Sequence, residues 1–317
     1  MLLDLTGDGV DTVGVCGSNP HAPTRSFSIT DATPSFRCSV NTMKHIRMLA
    51  LVFLPLVVFG QAQQTNKPAF DVDDFNKKFA VAQWLVAYDT VAWKTTDLVM
   101  AGDQAELARL GREWFCFQDS KGVWHAVYGK LENQKFDQVF HYSVDGAGKI
   151  TRTTDKIDQE FLIAHAKALQ LAQQKLVEAI PAGSPTHNTY IKRNDDKTFN
   201  VWLFPAFQTD NVAVYGGEFV YTIDPTAQKI TKDESYFQGA FRGFNAKPPR
   251  EIWLNYTEKE KPTLGSIFFV WYYKDYFTKI YISNAKSTSS VIKNGSEYMW
   301  VHAEKDSPSS GNSNPKP

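Results

Sequence analysis

One short pattern occurs twice in this chain and limits what the chain can fold into. Tyr142-Ser143-Val144-Asp145, a turn and Lys149-Ile150-Thr151 are echoed by Tyr221-Thr222-Ile223-Asp224, a turn and Lys229-Ile230-Thr231, a step of 79 residues from Tyr142 to Tyr221. Each copy alternates apolar and polar residues and closes on an Asp turn, which is the signature of a strand leaving a hairpin. Trp124 precedes the first tyrosine by 18 residues, and Trp202 precedes the second by 19. A stretch of helical period stands ahead of each block. The expected fold class is α+β: an antiparallel β-sheet with about three helices, built as two similar α-β-β-β units and a C-terminal β segment. The units run over residues 63–154 and 155–236, and the β segment over 237–304.

The periodicity places the elements. A helix is expected from Asp71, with Phe75, Phe79, Ala82, Val86 and Trp93 on one face and Asp73 and Asp74 in its first turn, where carboxylates favour the helix dipole. A short helix should follow Asp103. Strands are expected over 114–118, 123–130, 136–144 and 149–153. Asp155 should cap the helix whose stripe is Ile157, Phe161, Ala164, His165, Ala168, Ala172 and Leu176, with Pro181 as its stop. Strands then resume over 189–193, 198–206, 212–223 and 229–232, and later over 252–256, 266–273, 276–283 and 297–302. The most aromatic stretch, Ile267 to Phe277 (IFFVWYYKDYF), would as a strand be apolar on both faces. Residues 305–317 (KDSPSSGNSNPKP) are expected to be a disordered tail, too polar to offset chain entropy.

Residues 43–62 carry the order of a secretory signal peptide. Lys44, His45 and Arg47 are basic, Met48 to Phe59 is apolar, and Gly60-Gln61-Ala62 offers small residues for cleavage before Gln63. The apolar run is 12 residues, short of the roughly 20 that cross a bilayer. Residues 1–42 then read as a non-native leader ahead of a misplaced start. The mature chain would be Gln63 to Pro317, 255 residues, exported to a periplasmic or extracellular space, with a bacterial source suited to its short signal.

Of the chain's 34 basic and 34 acidic residues, the first 62 positions hold four of each, which leaves 30 of each in the mature part. That neutral balance gives no long-range pull toward nucleic acid. Cys116 is the one cysteine beyond the leader, so no internal disulfide is expected and packing alone must hold the core. Its neighbours Trp114, Phe115 and Phe117 mark it as a small buried residue, not a reactive thiol.

The second block resembles a PepSY-type unit over residues 155–232. The resemblance rests on a helix followed by strands that end in Val220 to Ile230 (VYTIDPTAQKI), although Gln228 stands where such units often have a small residue. It implies a non-catalytic exported module and transfers no functional residue.

Several groups are candidates for chemistry. His125 and His141 fall on consecutive strands, nearly opposite one another across a turn near Glu132-Asn133-Gln134. With a third ligand such as Asp137 or Asp119 they could bind Zn or Cu and serve a metal-dependent hydrolase. The alternative is a pair of rings packed across a half-buried sheet. His165, on the apolar stripe, should be a core histidine bonded to backbone. Gly216-Gly217 should form a bulge, with Glu218 as an acceptor if the bulge seats a ligand. Phe269, Trp271 and Tyr273 would share one face of the aromatic strand and could present it to a protein, a glycan or another small molecule. No G-x-S-x-G, P-loop, G-x-G-x-x-G or HExxH is present, and two S-x-x-K matches lack their companion motifs. The favoured function is therefore an exported binding or structural module, with the metal-dependent enzyme as the alternative.

Overall fold

A computed structural model describes residues 70–305. The leader, the signal segment and all but the first residue of the C-terminal tail lie outside the described residues. Among those residues no helix is long and apolar enough to cross a membrane.

The first unit opens with α1 (Val72–Met100) and the single turn α2 (Gln104–Leu107), followed by β1 (Glu113–Gln118), β2 (Trp124–Glu132), β3 (Lys135–Val144) and β4 (Ile150–Arg152). The four strands form one antiparallel meander in chain order. Asp71 caps α1 by accepting from the Asp74 N–H at 3.1 Å, and Asp103 caps α2 by accepting from the Ala105 N–H at 2.7 Å. Each carboxylate satisfies an N–H that the first turn leaves without a partner.

The second unit repeats this order. The helix α3 (Gln159–Ala179) precedes β5 (His187–Arg193), β6 (Phe199–Pro205), β7 (Val212–Ile223) and β8 (Ile230–Asp233), again an antiparallel meander. The cap of α3 is Asp158, which accepts from the Phe161 N–H at 2.9 Å, not Asp155. Asp155 instead presents its backbone carbonyl to His141.

Two strands were not expected: residues 287–294 in the C-terminal segment, and the one that follows β8. β9 (Tyr236–Asn245) pairs with the first half of β7, beyond a bulge between Tyr215 and Gly217. The bulge fits the Gly pair: Gly216 sits at φ +109°, and a Cβ there would stand 2.5 Å from the Ala240 carbonyl oxygen.

The C-terminal segment contains β10 (Glu251–Tyr256), α4 (Leu264–Tyr273), β11 (Lys279–Asn284), β12 (Ser287–Asn294) and β13 (Glu297–Glu304). Here the aromatic stretch departs from expectation: residues 264–273 are helix, and α4 is the fourth helix of the described chain. β10 and β11 pair in parallel, and parallel neighbours need a crossover, which α4 supplies. Thr263 caps it, its hydroxyl accepting from the Ser266 N–H at 3.1 Å. Apart from the parallel pair, the strands are antiparallel.

The layers follow from which faces are apolar. β1 of the first sheet lies beside β5 of the second. On one side of the pair, Phe115, Val127, Val201, Leu203 and Phe219 pack against Leu162, Ala166 and Leu169 of α3. On the other, Cys116, Ala126, Tyr128, Tyr190 and Trp202 pack against Leu85, Tyr88 and Ala92 of α1. α4 lies along α1 and touches β7 on one side and β11 and β12 on the other. Thus α1 is buried from several directions, which is why it holds polar groups inside. Thr95 and Thr96 bond the Tyr128 hydroxyl at 2.8 and 3.0 Å, and the Tyr88 hydroxyl accepts from the Cys116 N–H at 2.9 Å. Cys116 is fully buried.

Candidate functional site

The residues singled out in the sequence do not gather at one site. Glu218, Phe269 and Tyr273 come together around a small cavity of about 20 Å³ beside Gly216 and Gly217. That volume is near that of a single solvent molecule. Phe269 and Tyr273 are each 3% exposed and lie inside the main core. Trp271, two residues between them on a helix, points elsewhere: its ring meets Phe79 at 4.8 Å and Tyr298 at 6.2 Å, with the Lys274 ammonium 4.5 Å from its centre. The expected aromatic sheet face is therefore a helix packed in the core. On a strand, positions 269, 271 and 273 would share a face; at 100° per residue on a helix they do not.

Glu218 enters this core as a carboxyl group. Its Oε2 accepts from the Gly265 N–H at 2.6 Å, at the start of α4, while Oε1 is buried with no hydrogen-bond partner among the described residues. Burial pushes its pKa up, opposed by the Thr263 hydroxyl and the Gly265 N–H. A second buried carboxylate, Asp89, was not foreseen. Its Oδ1 accepts from the Tyr190 hydroxyl at 3.0 Å and the Asn188 amide at 3.3 Å, and its Oδ2 from the Tyr272 hydroxyl at 2.7 Å. The group ties α1 to β5 and α4, and burial raises its pKa above the usual carboxylate range. An Asp on an otherwise apolar helix face was the available signal.

His125 and His141 do meet. Both project from the α3 side of the first sheet, where Phe117 stacks on His125 at 4.9 Å. His125 Nδ1 lies 2.9 Å from His141 Nε2, and His141 Nδ1 lies 3.2 Å from the Asp155 carbonyl oxygen. A carbonyl only accepts, so His141 donates through Nδ1 and its Nε2 accepts from His125. Burial holds the His141 pKa below its ordinary value, with the neighbouring His125 acting in the same direction and the Asp155 carbonyl against it. Asp119 approaches the other nitrogen of His125, Oδ2 to Nε2, at 3.6 Å. His141 and Asp119 thus address opposite nitrogens of one ring and do not converge on a point. Asp137 is not part of this group. It sits opposite Lys130 near the hairpin end, four residues or about 13 Å along β3 from His141, and takes a bidentate bond from Arg109 at 2.8 and 3.2 Å. Among the described residues no group of three or more His, Cys, Asp or Glu could hold a metal ion.

His165 is a core residue, as its position suggested. Its Nδ1 donates to the Phe161 carbonyl at 2.7 Å, Phe115 stacks on it at 4.7 Å, and burial lowers its pKa to about 3.

A larger cleft lies where no sequence motif pointed. It has a volume of about 460 Å³ and opens between β9 and β10, with Tyr215 of β7 at its base. Arg242 and Arg250 flank it. The Gln238 side-chain carbonyl accepts from Arg242 Nη1 at 3.2 Å, and Tyr215 is the direct cross-strand neighbour of Arg242 on β7. Arg250 stands 6.0 Å from the centre of the Phe244 ring. Trp253, 47% exposed, lines the mouth and stacks on Tyr281 of β11 with centroids 4.3 Å apart and planes at 14°. Direct cross-strand neighbours on parallel strands share a face, so this ring pair is fixed by the backbone register Trp253–Tyr281. That outer face continues through Ser290 to Val301 and Met299, the last two 40% and 49% exposed. An open aromatic sheet face therefore exists, on β10 and β11 in place of residues 266–273.

No family model, no curated protein and no solved structure matches this chain.

Proposed function

We propose that the chain is an exported, non-catalytic binding module whose ligand lies in the cleft between β9 and β10 and against the Trp253–Tyr281 pair. The observation that carries this reading is the cleft itself: about 460 Å³, open to solvent, with a rigid stacked ring pair at its mouth and polar side chains around it. A cleft of that size suits a small molecule or a few sugar rings. A stacked Trp offers a flat contact at little conformational cost, since the Tyr behind it already holds it. Export rests on the signal-like residues 43–62. The binding role is also what the PepSY-type resemblance over residues 155–232 would imply, and the repeated order of one helix and a four-stranded meander agrees with a duplicated unit.

The site is tested by screening a panel of soluble glycans and small molecules for thermal stabilisation of the protein and of Trp253→Ala. Ligands of this site should raise the unfolding midpoint of the wild type and not of the variant, whose circular dichroism should be unchanged. Stabilisation that survives Trp253→Ala would place the ligand elsewhere.

A further inference from the structure

Resting on that reading, we infer that the ligand is an acidic saccharide, a short glycan strand carrying carboxylates on its rings. Three features point to it. The first is the flat, exposed indole of Trp253, held against Tyr281, which presents an apolar plane to the C–H face of a sugar ring. The second is the pair of guanidinium groups. Arg242 and Arg250 are both solvent-exposed and both line the cleft. A guanidinium matches a carboxylate with two parallel hydrogen bonds, and Arg242 is already oriented by its bond to Gln238, so less side-chain entropy is lost on binding. Arg250 forms no ion pair among the described residues. The third is the local charge. Glu251 also lines the cleft, but its direct cross-strand neighbour is Lys279, whose ammonium lies 4.9 Å over the Tyr281 ring. The lining therefore carries two guanidinium groups and one carboxylate, with the Lys279 ammonium on the neighbouring strand and Glu258 acting on Arg242 from outside the cleft, in a chain whose overall balance is neutral. Rings along the Trp253–Tyr281 face and carboxylates toward Arg242 and Arg250 would use both halves of the site at once. A neutral glycan would use only the first, and inorganic anions only the second.

The test is isothermal titration of the full protein with a tetramer of galacturonate and, separately, with the same tetramer methyl-esterified on every carboxyl. The acid should bind about tenfold to hundredfold more tightly than the ester, as charge-assisted bonds are gained on one and not the other. The Arg242→Gln, Arg250→Gln double variant should bring the acid down to the ester's affinity. Trp253→Ala should weaken both. Equal affinity for acid and ester would overturn the acidic-ligand inference. If that equal binding were still lost in Trp253→Ala, the cleft would remain the binding site. Acid binding that persists in the double variant, or no heat from either tetramer with the folded protein, would also overturn it. Acid binding indifferent to Trp253→Ala would remove the cleft reading as well.

Discussion

Replacing Phe269 by Ala separates a core helix from a ligand-facing surface. Phe269 is 3% exposed, and its ring meets Tyr273 at 4.6 Å and Tyr215 at 6.1 Å, so truncation leaves a hole between α4 and β7. Buried Phe→Ala changes cost about 3–5 kcal/mol, because the lost transfer energy is joined by an unfilled cavity. Domains of this kind have roughly 5–15 kcal/mol in total, so the variant should still fold while losing a large share of its margin. At about 2–4 °C per kcal/mol for a domain of this size, the unfolding midpoint should drop by about 6–20 °C. Thermal unfolding followed by near-ultraviolet circular dichroism measures it, with Trp253→Ala as the comparison. Trp253 is 47% exposed, and its removal should cost about 1 kcal/mol or less. If Phe269→Ala unfolded at the wild-type midpoint, Phe269 would not be in the core and the helix placement of 264–273 would be wrong.

Other expectations follow from the buried carboxyls and the histidine pair. Glu218 has a raised pKa in the fold, so the folded state holds its proton more tightly than the unfolded chain does. Its stabilising contribution is then whole below its ordinary value of 4.5 and is lost as pH rises through the raised folded value. Glu218→Gln keeps an oxygen for the Gly265 N–H and removes the charge. The variant should gain stability over the wild type as pH climbs above 4.5, at about 1.4 kcal/mol for each unit of upward shift; urea titrations from pH 4 to 8 would contradict this if the two proteins stayed parallel. Asp89→Ala should cost about 3–5 kcal/mol, since it leaves the Tyr190 and Tyr272 hydroxyls without their shared acceptor, and Tyr272→Phe should cost less; equal losses in urea unfolding would argue against a shared hub. Zinc or copper added to the purified protein should leave its melting temperature unchanged, because a metal would have to break the 2.9 Å bond between His125 and His141 and find a further ligand. A rise that disappears in His125→Ala would restore the metal site.

What could be read from the chain depended on whether local pattern alone decides the structure. α1, α3 and both meanders were legible because helical and strand periods there agree with turn chemistry and Asp caps. His125 and His141 could be paired because two strands and one hairpin fix their register; Asp137 was misplaced because it lies at the far end of the same hairpin. Residues 264–273 were not legible. A short run that is apolar all round fits a buried strand or a buried helix equally, and only the parallel pairing of β10 with β11 decides between them. β9 was missed because its strand is an edge, broken by Gly239 and Gly243 and half exposed, so its alternation is weak. The cleft draws on β7, β9 and β10, and no motif in the sequence gathers Tyr215, Arg242, Arg250 and Trp253.

The central claim is that ligand enters between β9 and β10. Hydrogen exchange read by mass spectrometry, with and without saturating galacturonate tetramer, tests it most directly. Protection gathered on residues 236–256 and on β11, with the surfaces of α2 and of the β2–β3 hairpin unchanged, is the expected result. Protection centred on His125 and His141, or spread evenly over the chain with none at the cleft, would contradict the account.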